Sequence, residues 1–214
     1  MRTSSGLRCA LLLGCTVLVF NVAAQRTFNR ESEVGSVAAQ YIGRFVLSGD
    51  GTGEVIGYMP FMDGIGSDLF SDKNDRSERT ALFSIRSNRI RLDRIPNGAI
   101  SHFLLGPLTG PAIEFKVYFT LNPSRDWSDP ASFTSGQHVG SVRLTRGMLT
   151  VMPAFLEYTA HLDLTESHEF NFDNRTIDFR TIGRSVFCRV MGTSLPSVGS
   201  GSVPLGGRLT HNGR

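Results

Sequence analysis

The sequence predicts an all-β protein, in which an antiparallel barrel is favoured over a β-sandwich. About a dozen short segments with strand character follow one another at spacings of roughly 8–12 residues, as in barrels and sandwiches. Turn residues separate these segments, and no substantial helix is expected outside the apolar N-terminal segment. Short connections favour antiparallel pairing. The barrel is preferred because so many hairpins would otherwise leave unprotected edge strands.

The clearest strand pattern covers residues 112–121. Every second residue in it is apolar, and the residues between are mostly polar; the apolar set is Ile113, Phe115, Val117, Phe119 and Leu121. Successive side chains of a strand point to opposite faces, so one face of this strand is expected to be buried. Asn122-Pro123 ends the strand, and a loop with the only tryptophan of the chain follows.

The other strands are predicted from shorter patterns on either side of this one. Before it, they are expected at residues 41–47, 54–61, 79–86, 88–95 and 99–105. Asn97-Gly98 predicts a hairpin turn between the last two, because both residues accept a positive φ. After the tryptophan loop, strands are expected at residues 138–145, 148–152, 155–164, 168–172, 176–182 and 185–191.

These patterns divide the chain into four parts. Residues 1–24 have the composition of a signal peptide, and residues 25–40 are predicted to form a loose N-terminal lead-in. Residues 41–193 are predicted to be a single β-domain. Residues 194–214 are rich in Gly, Ser and Pro, which predicts a flexible tail.

The N-terminal segment predicts export from the cell. Arg2 and Arg8 precede an apolar run over residues 9–22, and small residues lie before a cleavage site after Ala24. The run is too short to span a bilayer, which takes about 20 apolar residues, so no transmembrane segment is expected after cleavage. Lipidation at Cys15 and an uncleaved anchor are the alternatives. The predicted location is secreted, extracellular or periplasmic.

Charge and cysteine content narrow the class of protein. Removing the two arginines with residues 1–24 lowers the formal charge from +3 to +1, so nucleic acid is not an expected partner. Two of the three cysteines leave as well, and Cys188 cannot form an internal disulfide alone. Cys188 shares a strand face with Val186 and Val190, which predicts a buried, inert thiol and not a nucleophile.

The polar face of residues 155–164 holds the candidate catalytic group. Glu157, His161 and Asp163 lie at alternate positions, so their side chains project from the same face. A carboxylate beside an imidazole suits acid–base chemistry, whereas a solvated outer face is the simpler interpretation. Glu166 and His168 lie in the next turn and would join them only if the chain folded back. No His-x-His pair is present, and the sequence predicts neither a metal site nor a cofactor.

The tryptophan loop holds the candidate ligand-binding residues. Trp127 offers a stacking surface for a sugar, and Asp126 and Asp129 offer oxygen donors. Their spacing does not match a calcium-binding EF-hand loop. The alternative is that the tryptophan packs under its own loop while the aspartates cap turns.

Two further residues have the character of sites. His102 lies between Ile100 and Leu104 on one strand face, so it is expected to be a histidine of the core or lumen. Asn174-Arg175-Thr176 is a glycosylation sequon, which matters only if the source is eukaryotic.

Three functions are compatible with this sequence, and whether the protein is an enzyme stays open. A secreted, disulfide-free β-domain that binds a small apolar ligand, a glycan or a protein partner is favoured, because no complete catalytic set is recognisable. The first alternative is a small barrel enzyme, an isomerase, cyclase or lyase, that uses acid–base chemistry in its lumen. The second is a structural or surface-associated protein.

Overall fold

The computed structural model of this chain describes residues 35–66, 68–181, 183–193 and 201–212. The predicted signal peptide lies outside these residues. The described strands are β1 (Val37–Leu47), β2 (Thr52–Met62), β3 (Phe83–Ser87), β4 (Ile90–Asn97), β5 (Ile100–Pro107), β6 (Glu114–Phe119), β7 (Gln137–Val151), β8 (Phe155–Ser167), β9 (Phe170–Phe172), β10 (Arg175–Ile177), β11 (Ser185–Thr193) and β12 (Gly201–His211). Short 3₁₀ turns occur at Pro130–Thr134 and Phe179–Thr181. No helix of this part of the chain has the length and apolar character to cross a membrane. The predicted all-β class is confirmed.

Eight antiparallel strands close into a barrel, as the sequence favours. Around the barrel they run β1, β12, β11, β8, β7, β6, β3 and β2, and β2 pairs with β1 again. Two pairs of strands connect β2 to β7. At one end of the barrel β3 pairs with β2 and β6 pairs with β7, and at the other end β4 pairs with β2 and β5 pairs with β7. Closure pairs the backbone groups that an open sheet would leave at its edges.

The predicted flexible tail is wrong for Gly201–His211. This segment is β12, which pairs with β1 on one side and with β11 on the other. Val203, Leu205 and Leu209 are buried at alternate positions. The residues between them, Pro204, Gly206, Gly207 and Arg208, hide that alternation in the sequence. The strand is stabilised by its two neighbours and not by its own propensity. Residues 194–200 of the predicted tail lie outside the described residues.

The predicted loose lead-in is also wrong for residues 37–40, because β1 already begins at Val37. Residues 25–34 of the predicted lead-in lie outside the described residues. Ala38 and Ala39 are buried, and pairing with β12 extends the strand beyond its strongest apolar pattern. A similar extension joins the two strands predicted at 138–145 and 148–152 into one strand, β7. A register shift between Leu144 and Arg146 accounts for the break in the pattern.

The central strand pattern is confirmed up to Phe119. Ile113, Phe115, Val117 and Phe119 are all buried in the barrel. Leu121 lies past the end of β6 and is 62% exposed, so its place in the apolar alternation does not make it part of the core.

The prediction for His102 is wrong, because β5 turns its other face inward. Phe103 and Leu105 pack against the core, whereas Leu104 is 51% exposed. His102 is half-buried on the outer face, with Nδ1 3.2 Å from the Thr150 hydroxyl. Both faces of this strand carry apolar residues, so the alternation cannot distinguish the inner face from the outer one.

The barrel wall has one local feature that positions an interior tyrosine. Gly43 of β1 and Gly57 of β2 are directly paired, and a Cβ at either position would overlap the ring of Tyr41. The two glycines therefore let the Tyr41 ring lie close against the backbone. Its hydroxyl donates a hydrogen bond to the carbonyl oxygen of Ile56 at 2.7 Å.

Candidate functional site

The barrel lumen encloses two neighbouring cavities with predominantly apolar linings. The first, about 40 Å³ in volume, has aliphatic and aromatic side chains around it, together with Tyr41, Tyr158 and Cys188. The second, about 90 Å³, lies towards the end of the barrel at which β1 begins. Met59 and Leu162 line both cavities, so a ligand in one would contact the wall of the other.

Strand alternation places Tyr158 and Cys188 beside the first cavity. Tyr158 and Leu162 point inward from β8, on the face opposite to the polar face that the sequence predicts. Cys188 points inward from β11 and pairs with Ala160 of β8. Cys188 is buried, as predicted, and burial raises the pKa of its thiol to about 12.

Two buried tyrosines in this lumen differ in one respect that matters for binding. Burial raises the pKa of both Tyr41 and Tyr158 well above the ordinary value, so both are neutral phenols that can donate a hydrogen bond. The Tyr41 hydroxyl donates its hydrogen bond to the Ile56 carbonyl oxygen in the barrel wall. The Tyr158 hydroxyl is buried and makes no hydrogen bond with the described residues. Leaving such a group unsatisfied costs about 1–3 kcal/mol.

The second cavity has a more polar lining at its outer end. His211 of β12 is 4% exposed and lies there with Arg184 and Ser185. The His211 Nε2 atom is 3.6 Å from a carboxylate oxygen of Asp63. This end of the lumen would therefore also tolerate a polar group of a ligand.

An aromatic cluster packs at the same end of the barrel. Phe83 at the start of β3 and Phe119 at the end of β6 have ring centroids 5.0 Å apart. Both contact Phe170 and Phe172 of β9, with ring centroids 5.1–5.9 Å apart. Phe179, from the following 3₁₀ turn, contacts Phe170 and lines the second cavity. The segment after β8 thus forms an apolar cover over this part of the lumen.

The candidate catalytic group lies on the opposite side of the barrel wall. Glu157, His161 and Asp163 project outward from β8, and none of them lines either cavity. The Glu157 carboxylate accepts a hydrogen bond from Arg189 Nε at 2.6 Å. The His161 ring is exposed, with Nδ1 3.3 Å from the side-chain nitrogen of Asn212. This is the geometry of a solvated outer face, and a catalytic role for these residues stays a prediction.

Trp127 is half-buried and its ring is in contact with three other side chains. Its centroid is 4.8 Å from that of Phe133 and 6.1 Å from that of Tyr58. The Arg44 guanidinium lies 4.7 Å from the indole centroid, a cation–π distance. Little of the ring is left for a sugar, and the packed-loop interpretation describes the structure better.

The aspartates of this loop hold its backbone. Asp126 accepts a hydrogen bond from the Ser128 backbone nitrogen, which lowers the pKa of the Asp126 carboxyl. Asp129 caps the 3₁₀ turn by accepting from the backbone nitrogen of Ala131 at 3.0 Å. Ligand binding by these two residues stays a prediction, and turn capping accounts for the contacts they make.

Arg125, which sequence analysis did not single out, is the most deeply buried charged residue of this loop. It is 0% exposed, and its guanidinium donates to the carbonyl oxygens of Ala81 and Leu82. Burial lowers its pKa to about 10. The arginine therefore ties the tryptophan loop to the segment that leads into β3.

Asn174 lies where a sugar could be attached. It is exposed in the turn between β9 and β10, with a φ of 57° beside Asp173 at 51°. Glycosylation stays a prediction that depends on a eukaryotic source.

No protein-family model matches this chain, and neither a curated protein nor a solved structure matches it. The geometry of the lumen and of the outer surface is therefore what supports a function. Sequence alternation places Tyr158 on the core face, but only the folded structure shows that its hydroxyl has no acceptor among the described residues.

Proposed function

We propose that the protein is exported and binds a small, predominantly apolar molecule with one hydrogen-bond acceptor in its barrel lumen. The observation that carries this proposal is the Tyr158 hydroxyl, which is buried beside an apolar cavity and makes no hydrogen bond with the described residues. An acceptor on a ligand would satisfy this donor, and the surrounding side chains would desolvate the rest of the molecule.

The cavities suit a molecule of about the size of one aromatic ring. An apolar protein cavity of about 150 Å³ holds benzene, and the two neighbouring volumes of about 40 and 90 Å³ together approach that size. Met59 lies between them, and its unbranched thioether side chain adjusts readily to a ligand.

Binding is favoured over acid–base catalysis at the centre of the lumen. Burial raises the pKa values of Tyr41, Tyr158 and Cys188, so these groups stay protonated at neutral pH and do not act as bases. A small apolar ligand is favoured over a glycan, because the first cavity offers almost no polar surface and Trp127 is already packed.

Two probes of nearly equal shape test the proposal. Acetophenone and ethylbenzene share a ring, but only acetophenone has a carbonyl acceptor. We expect the exported protein to bind both, and acetophenone about 5–10 times more tightly, since one hydrogen bond contributes about 1 kcal/mol. Titrations followed by methyl NMR would report the affinity and would show whether the Leu105 and Leu149 methyl groups of the lumen respond.

Substitution of the tyrosine isolates its hydroxyl. Tyr158→Phe should bind ethylbenzene as before and lose the preference for acetophenone. Tyr118→Phe, on the half-buried outer side of β6, is the matched control and should keep the preference. The proposal is wrong if neither probe shifts the lumen methyl groups, or if Tyr158→Phe retains the full preference.

A further inference from the structure

Four polar side chains converge on the outer surface where β6, β7 and β8 meet. His138 and Ser141 belong to β7, Glu166 belongs to β8, and His168 follows β8 directly. The backbone nitrogen of His168 donates to the carbonyl oxygen of Val139 at 3.0 Å, so the chain stays beside β7 after β8 ends. None of these four residues lines either cavity of the lumen.

Two β-bulges bring these side chains together. Pairing of β6 with β7 passes from Val117–Gly140 to Tyr118–His138, and pairing of β7 with β8 passes from Val142–Leu164 to Ser141–Glu166. Val139 and Thr165 are therefore the extra residues of the two bulges. Each bulge shifts the alternation by one position and re-aims the side chains that follow it. His138 and Ser141 consequently share the outer face with Glu166.

The contacts within the group form a continuous chain. One carboxylate oxygen of Glu166 is 2.8 Å from His168 Nε2, and the other accepts from the Ser141 hydroxyl at 3.2 Å. The Ser141 hydroxyl oxygen is 3.0 Å from His138 Nε2, which is also 3.0 Å from the carbonyl oxygen of Gly140. These contacts, with partial desolvation opposing them, lower the pKa of Glu166.

We propose that His138, Glu166 and His168 form a surface site for a divalent transition metal such as Zn²⁺. One donor atom from each residue lies within 4.8 Å of the others, so small side-chain movements bring all three to metal-ligand distances. Glu166 and His168 are about half exposed, which leaves their side chains free to make that movement. This site is independent of the lumen and of any ligand there.

The donor set decides which class of metal fits. Two imidazoles and one carboxylate suit Zn²⁺, Co²⁺, Ni²⁺ or Cu²⁺, whereas Ca²⁺ and Mg²⁺ prefer oxygen donors throughout. Ser141 is 3% exposed, and its hydroxyl would orient the Glu166 carboxylate by donating a hydrogen bond to it. Hydrogen-bond partners of this kind orient the ligands in many metal sites. Three protein ligands on an exposed surface leave a further coordination position open to water or a substrate.

Metal titration of the untagged, chelator-treated protein tests the site. Co²⁺ should bind with one-to-one stoichiometry and give the visible absorption of a tetrahedral or five-coordinate ion, and Zn²⁺ should displace it. His168→Ala should weaken Zn²⁺ binding in calorimetry at least about tenfold, because it removes one of three ligands. Glu166→Gln, which keeps the shape of the side chain, should weaken it to a similar degree.

His161→Ala is the matched control, because it removes another exposed histidine from the outer face of β8. This variant should bind Zn²⁺ as the unaltered protein does. The proposal is wrong if His168→Ala binds Zn²⁺ as tightly as the unaltered protein does. It is also wrong if His161→Ala weakens Zn²⁺ binding as much as His168→Ala does. Far-UV circular dichroism of each variant would show whether the barrel is folded.

Discussion

The two lumen tyrosines offer a paired test of the binding site, because the same substitution should change stability in opposite directions. Tyr41→Phe removes a hydroxyl that donates to the Ile56 carbonyl at 2.7 Å. Tyr158→Phe removes a hydroxyl that is equally buried and makes no hydrogen bond with the described residues. Each substitution deletes one oxygen atom from the same lumen, so the small packing loss is similar in both variants.

The expected magnitudes follow from this difference. A buried hydrogen bond contributes about 0.5–1.5 kcal/mol net, so Tyr41→Phe should lower the free energy of unfolding by about 1 kcal/mol. Tyr158→Phe removes an unsatisfied group that costs about 1–3 kcal/mol, so it should raise the free energy of unfolding by about 1 kcal/mol. The two variants should then differ by about 2 kcal/mol, or roughly 4–8 °C in Tm for a chain of this length.

The appropriate assay is urea unfolding of the ligand-free protein, monitored by circular dichroism and by Trp127 fluorescence. The midpoints should separate while the slopes stay equal, which would show that stability changed and not the compactness of either state. If Tyr158→Phe is destabilised as much as Tyr41→Phe, the Tyr158 hydroxyl has a partner in the ligand-free protein. The argument for a hydrogen-bonding ligand would then fail.

Three further predictions concern the framework of the barrel. Gly43→Ala should destabilise the protein by about 1–3 kcal/mol, because its Cβ would overlap the Tyr41 ring. The control is Gly206→Ala, which should change Tm little because its Cβ would meet nothing within 4 Å. Arg125→Met should lower the free energy of unfolding in urea by about 1–3 kcal/mol, because the buried carbonyl oxygens of Ala81 and Leu82 lose a donor. An unchanged urea midpoint would contradict a stabilising role for these hydrogen bonds. Hydrogen bonds from Arg180 lower the pKa of Asp178 from 3.8 to about 2, so the resulting stability is present above pH 4 and lost as the pH falls towards 2. Asp178→Asn should flatten that part of the acid-unfolding curve, and an unaltered curve would count against the linkage.

Local alternation in the sequence was sufficient to identify the principal strands and several inner faces. Phe115 and Val117 are buried as their two-residue period predicts, and Tyr158 lies on the inner face of β8. Cys188 is a buried thiol for the same reason. These predictions succeed because a strand with one buried face must place apolar residues at every second position.

Alternation was insufficient wherever both faces of a strand looked alike or where the period was broken. His102 faces outward, which alternation could not show because β5 is apolar on both faces. Gly201–His211 is a barrel strand despite its glycines. The bulges at Val139 and Thr165 likewise change which side chains share a face. Neither bulge leaves a recognisable signal in the sequence, so the grouping of Glu166 with two histidines was not predicted.

The sequence by itself determined the all-β class and the order of most strands, because these depend on residue type and on a period of two. Only the tertiary structure decided how the barrel closes, which tyrosine hydroxyl has an acceptor and which polar residues meet on the surface. Those properties depend on the register between strands that are distant in the chain, such as β1 with β12 and β7 with β8. Register is set by packing and by bulges over the whole barrel, so no single segment encodes it.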